Sequence, residues 1–131
     1  MEKEHTLTYG NVIEEFLESF PEYREKAEEE RSWWHGDVGE EPLVYIFFGN
    51  VLNESLVEEL RATEHPRLLK RIFDFFERMA LSPDKKVPEL LTMEILEYLG
   101  DDKARLKRAR KMMGRKTLKL SHEIEKFLGR E

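Results

Sequence analysis

Pro42-Leu43-Val44-Tyr45-Ile46-Phe47-Phe48-Gly49-Asn50-Val51-Leu52 is the stretch on which the fold turns. Val-Tyr-Ile-Phe-Phe has high β propensity and, alone, reads as a buried strand. Its apolar residues argue otherwise: Leu43, Ile46, Phe47, Val51 and Leu52 keep helical spacing, and Leu56, Val57 and Leu60 carry the stripe onward. No other segment offers a partner strand. The reading is a helix opening at Pro42, which suits a first helical position. Gly49 weakens it by roughly 1 kcal/mol relative to Ala, so a kink or a close helix contact is predicted there.

Upstream, Tyr9, Val12, Ile13, Phe16, Leu17 and Phe20 mark one face of a first helix, with Thr8 as its N-cap and Pro21 as its end. Residues 22–31 predict an acidic, solvated helix touching the core through Tyr23 and Ala27 only. Residues 32–41, with Gly36 and Gly39, read as a loop. Downstream, Pro66 opens a helix with Leu68, Leu69, Ile72, Phe73, Phe76, Met79 and Ala80 inward. After the turn Ser82-Pro83-Asp84, the next helix carries Leu91, Ile95, Tyr98 and Leu99 to Gly100. Asp101 or Asp102 caps a basic helix that runs through Met113 to Gly114. Thr117 or Ser121 caps the last, with Ile124, Phe127 and Leu128 inward and Gly129 beyond its end.

The prediction is an all-α, single-domain irregular bundle of six or seven helices spanning residues 1–131. Residues 66–100 form an antiparallel hairpin of the kind stacked in HEAT and armadillo solenoids, but no second copy recurs at a fixed period. At 131 residues with 40% apolar side chains, 8 Phe, 4 Tyr and 2 Trp, the chain holds one core and is not disordered throughout. The absence of cysteine excludes disulfides and thiolate chemistry. No apolar run reaches the length of a membrane span and the first residues lack signal-peptide character, so a cytoplasmic protein without membrane contact is expected.

The net charge of −6 hides an asymmetry. Residues 1–66 hold 17 acidic and 5 basic side chains, a balance of −12, and residues 67–131 hold 11 and 17, a balance of +6. Either the halves attract each other, or they present two surfaces to different partners.

Catalytic patterns are missing. On the predicted helices none of the four histidines forms a His-x-x-x-His or Glu-x-x-His pair, and His122 with Glu125 reads as a surface ion pair, so no metal or other cofactor is expected. No nucleophile elbow, phosphate-cradling glycine loop or distinguished carboxylate pair occurs, and the reading is non-enzymatic.

Two surfaces remain. The first is acidic: Glu22, Glu25, Glu28, Glu29, Glu30, Asp37, Glu40 and Glu41, with Trp33 and Trp34 as aromatic anchors or as seals on the bundle. Such a surface mimics nucleic acid and fits a basic cleft on another protein. The second comprises Lys103, Arg105, Lys107, Arg108, Arg110, Lys111, Arg115 and Lys116, read as a basic helix over 103–119 able to meet phosphates. It lacks interleaved aromatics, and the chain has no Gln for base readout, so sequence-specific recognition is not expected.

Phe48-Gly49-Asn50-Val51-Leu52, Ile95-Leu96-Glu97-Tyr98-Leu99-Gly100-Asp101-Asp102 and Met113-Gly114-Arg115-Lys116-Thr117 resemble segments of a family of small all-helical bacterial proteins, some of them similar to immunity proteins of toxin systems. The resemblance implies an intracellular, non-enzymatic binding protein and supplies no site residues. The resulting expectation is an immunity-type inhibitor that blocks a protein partner, such as a nuclease toxin, through the acidic surface. The alternative is a nucleic-acid-associated protein using residues 103–119.

Overall fold

The structure is a computed structural model that describes residues 6–35 and 44–131, with the side chains of all of these except 31–35. Seven helices and no strand occur among the described residues. The chain order is α1 (Val12–Ser19), a 3₁₀ turn (Pro21–Tyr23), α2 (Arg24–His35), α3 (residues 44–62), α4 (Pro66–Ala80), α5 (residues 86–99), α6 (Lys103–Arg110) and α7 (Arg115–Phe127).

The deciding stretch is helical. α3 is continuous through Val44–Phe48, Gly49–Asn53 and Glu54–Ala62, and its middle part is a wider π-turn. A Cβ on Gly49 would lie 2.6 Å from Glu94 Oε2, so the close helix contact expected there is present. The expected start at Pro42 lies outside the described residues. α5 has the same construction, a π-turn at Leu91–Leu96 between Lys86–Leu90 and Glu97–Leu99. The two π-turns touch each other.

One buried cluster draws on all seven helices, from Val12, Phe16 and Leu17 of α1 to Ile124 of α7. Its aromatic centre is Phe16, 5.0 Å from Phe20, 5.2 Å from Phe48 and 5.7 Å from Phe75 between ring centroids. The 66–100 hairpin is present as α4 against α5, and α7 lies across both.

Several boundaries depart from the sequence reading. Thr8 caps no helix: its N–H donates to Asn11 Oδ1 (2.8 Å) and its Oγ1 accepts from the Asn11 N–H (3.2 Å), closing a turn, and α1 begins only at Val12. α2 continues to His35, so residues 32–35 are helix rather than loop, while 36–41 lie outside the described residues. Helical geometry persists there because nothing before Gly36 interrupts it. α6 stops at Arg110 instead of Met113. The Met112 N–H turns back to the Ala109 carbonyl in a tight turn, so the basic run is divided between two helices.

The last helix starts at Arg115, and neither Thr117 nor Ser121 caps it; both are buried within it. Its cap comes from α4, where Glu77 Oε2 accepts from the Lys116 N–H (2.9 Å) and Oε1 from the Thr117 N–H (3.0 Å) and hydroxyl (2.7 Å). Phe127 points outward at 80% exposure, Leu128 is 37% exposed, and Tyr98 is 38% exposed beneath the Arg105 guanidinium. α7 ends at Phe127, where the chain turns so that Arg130 reaches Glu125. Asp102, by contrast, caps α6 as expected, accepting from the Arg105 N–H.

Candidate functional site

α2 anchors itself with little. Tyr23 of the preceding 3₁₀ turn and Ala27 are buried, Glu30 is half-buried, and the other described side chains of α2 are exposed. Glu25 and Glu28 are exposed and form no ion pair among the described residues, and Glu29 is exposed beside them. Glu30 accepts from Asn50 Nδ2 of α3 at 2.8 Å. Glu22 is already engaged: Arg71 of α4 donates to Oε2 (2.7 Å) and Oε1 (3.4 Å), and this hydrogen-bonded guanidinium holds the carboxyl below its usual range. Arg71 also donates to the Ser19 carbonyl and lies 5.0 Å from the Phe20 ring centroid, joining the acidic half to the basic one. Arg78–Glu15, at 3.7 Å, is a second link of that kind.

The backbone of Trp33 and Trp34 forms the last turn of α2, but their side chains lie outside the described residues, as do Asp37, Glu40 and Glu41 altogether. The structure therefore brings Glu22, Glu25, Glu28, Glu29 and Glu30 together along one helix and its approach, and leaves the rest of the expected surface unplaced.

The basic residues divide into two groups. Arg105 donates to the Tyr98 carbonyl (2.8 Å), and Arg110 to Ser121 Oγ (3.0 Å) and Glu131 (3.2 Å). Both tie helices together. Lys103, Lys107, Arg108 and Lys111 are exposed on α6 and the turn after it, whereas Arg115 and Lys116 sit on α7. No single helix displays all eight. His122 and Glu125 do not pair: His122 meets Glu131, and the buried Glu125 receives two hydrogen bonds from Arg130, at 2.9 and 2.7 Å.

Two features were missed at the sequence level. Where α3 meets α4, a groove of about 520 Å³ is lined by Glu22, Glu59, Glu64, His65, Pro66, Arg67 and Leu68. His65 Nδ1 lies 2.8 Å from Glu59 Oε1, and this hydrogen bond raises the imidazole pKa. Tyr23 and Ser55 share a hydrogen bond of 2.8 Å on the neighbouring turn of α3. All the groove residues except Glu22 fall within residues 59–68, but nothing in their spacing shows that the corner between two helices closes against Glu22.

The second feature lies between the two π-turns. Asn53 Nδ2 donates to the Glu94 carbonyl (3.1 Å) and approaches Glu94 Oε2 (3.4 Å), while the buried Asn53 Oδ1 has no partner among the described residues. Burial, helped by Glu97, raises the Glu94 pKa. The signal available was an Asn and a Glu within otherwise apolar stripes.

No group of three or more metal-ligating side chains occurs among the described residues, and no described helix is long and apolar enough to cross a membrane. Neither the curated proteins nor the solved structures contain a match to the chain. Residues 13–129 match the family described as a domain of unknown function, DUF7674, and the chain belongs to that family.

Proposed function

We propose that this is a non-catalytic, cytoplasmic protein that binds another protein through the acidic face of α2, in the manner of an immunity-type inhibitor occupying a basic cleft. One observation carries the reading. The 3₁₀ turn and α2 commit Tyr23 and Ala27 to the core while α2 presents Glu25, Glu28 and Glu29 to solvent. A surface of one sign accelerates encounter with an oppositely charged partner and disfavours wrong ones. The backbone of Trp33 and Trp34 continues the same helix, and tryptophan is the residue type in which binding energy concentrates. The nucleic-acid reading is weaker, because Arg105 and Arg110 are engaged within the fold.

The test is capture from the native lysate with wild-type bait and with Glu25→Lys/Glu28→Lys bait, each before and after nuclease treatment. The expected result is one stoichiometric protein that survives nuclease, whose association with the reversed bait at low salt is slower by roughly ten-fold or more. Bound material that vanishes with nuclease, or an unchanged association rate, overturns the proposal.

A further inference from the structure

Deepening the reading just given, and resting on it for the identity of the partner, we infer that the groove between α3 and α4 seats an arginine side chain of the partner protein. Glu22 supports this by position, since it is both a wall of the groove and the start of the acidic surface that continues into α2. The contact surface then extends from α2 across Glu22 to the α3–α4 corner. At about 520 Å³ the groove accepts one long side chain together with its flanking backbone. Pro66 and Leu68 provide apolar wall for a methylene stem, and the carboxylates of Glu59 and Glu64 provide charge for its head.

Glu59 is the decisive group. Its side chain is 18% exposed, whereas that of its partner His65 is 60% exposed. A carboxylate set into a groove is thus covered by an exposed imidazole, which a side chain arriving from solvent can displace. A guanidinium is charged at all working pH values and offers a planar fork of donors, so it replaces the imidazole to advantage. The opposite wall already accommodates this geometry, with Arg71 forked onto both oxygens of Glu22. Arg67 on the lip opposes a cation, and Glu64 offsets it.

The probe is the capped tripeptide acetyl-Gly-Arg-Gly-amide, titrated into ¹⁵N-labelled protein, with the neutral citrulline analogue as control. Amide shifts are expected at residues 22–23, 59, 63–65 and 67–68, together with the His65 ring signals, and none of these with citrulline. Glu59→Gln should weaken binding about ten-fold. His65→Ala should tighten it, a change of sign that simple damage to the fold does not produce.

Equal shifts with citrulline, shifts confined to α2, or a Glu59→Gln protein that binds as well as wild type would each overturn the inference. The two proposals fail separately. A groove that ignores the peptide in a protein that still captures its partner through Glu25 and Glu28 removes only the arginine seat. A groove that binds the peptide in a protein that captures nothing removes only the inhibitor reading.

Discussion

Glu77→Ala removes a cap supplied from another helix. Three hydrogen bonds to Lys116 and Thr117 disappear, and two backbone N–H groups at the start of α7 lose their acceptor. A lost helix cap costs about 1 kcal/mol, and bonds to a charged acceptor cost more than neutral ones. Because Glu77 is only partly buried, water replaces some of what is lost, and the sum is about 2–3 kcal/mol. With a urea slope of about 1.5 kcal/mol per M, the unfolding midpoint should fall by roughly 1.5 M.

Gly114 sharpens this test. A Cβ there would lie 2.4 Å from Glu77 Oε1, while its backbone, at φ −73° and ψ 175°, suits alanine without strain. Gly114→Ala therefore destabilises by displacing the carboxylate, and it should cost much less in the Glu77→Ala background. The pH dependence has a defined sign. Partial burial opposes the charge on Glu77, but hydrogen bonds from Thr117 and Lys116 outweigh it and lower the pKa. Its contribution is present above the unfolded-state pKa and is lost as pH falls through the folded-state value. A midpoint shift below about 0.3 M, or strictly additive effects of the two substitutions, would refute the reasoning.

Arg130→Ala should cost about 3 kcal/mol in chemical denaturation, because it strands the buried Glu125 carboxylate, and Glu125→Ala/Arg130→Ala should recover part of that loss. Equal costs for the single and double variants would refute this. Glu94→Gln should raise stability at neutral pH, since burial, aided by Glu97, raises the Glu94 pKa. The folded state then holds the Glu94 proton more tightly, so the wild type is penalised as pH rises through that folded-state value. The advantage of Gln should vanish in acid below the unfolded-state value. An advantage independent of pH would point to packing instead.

The helices were legible wherever apolar spacing and a local punctuation mark agreed. Asp102 stands immediately before α6 and caps it, and Pro66 opens α4 with no N–H to satisfy. The capping of α7 was not legible, because its acceptor lies 39 and 40 residues upstream on a different helix. Ser32-Trp33-Trp34-His35 resembles a loop only through the glycine that follows it, and the helix runs to that glycine's neighbour. The division of the basic run escaped notice because charge density says nothing about where backbone hydrogen bonding turns. Of the candidate surface, the exposure of Glu25 and Glu28 follows from the two-residue inward stripe of Tyr23 and Ala27. The engagement of Glu22 depends on Arg71, 49 residues away.

The paired π-turns bear on how the core is metered. Phe48, Leu52, Leu56 and Leu60 in α3, and Val87, Leu91, Ile95 and Leu99 in α5, are each no more than 2% exposed, and each set advances in strict steps of four. In a regular helix every such step overshoots a full turn by about 40°, so three steps carry a stripe about 120° around the axis. The wider turns at Gly49–Asn53 and Leu91–Leu96 absorb that excess and keep both rows in phase with the core. Deleting a single residue there removes the wider turn yet leaves the helix beyond it in nearly the same phase, because one fewer ordinary step covers about the rotation that the wider turn gives up. In α3 Leu56 and Leu60 would then still face the core, whereas rewinding the turn to a regular helix without a deletion would swing them toward water.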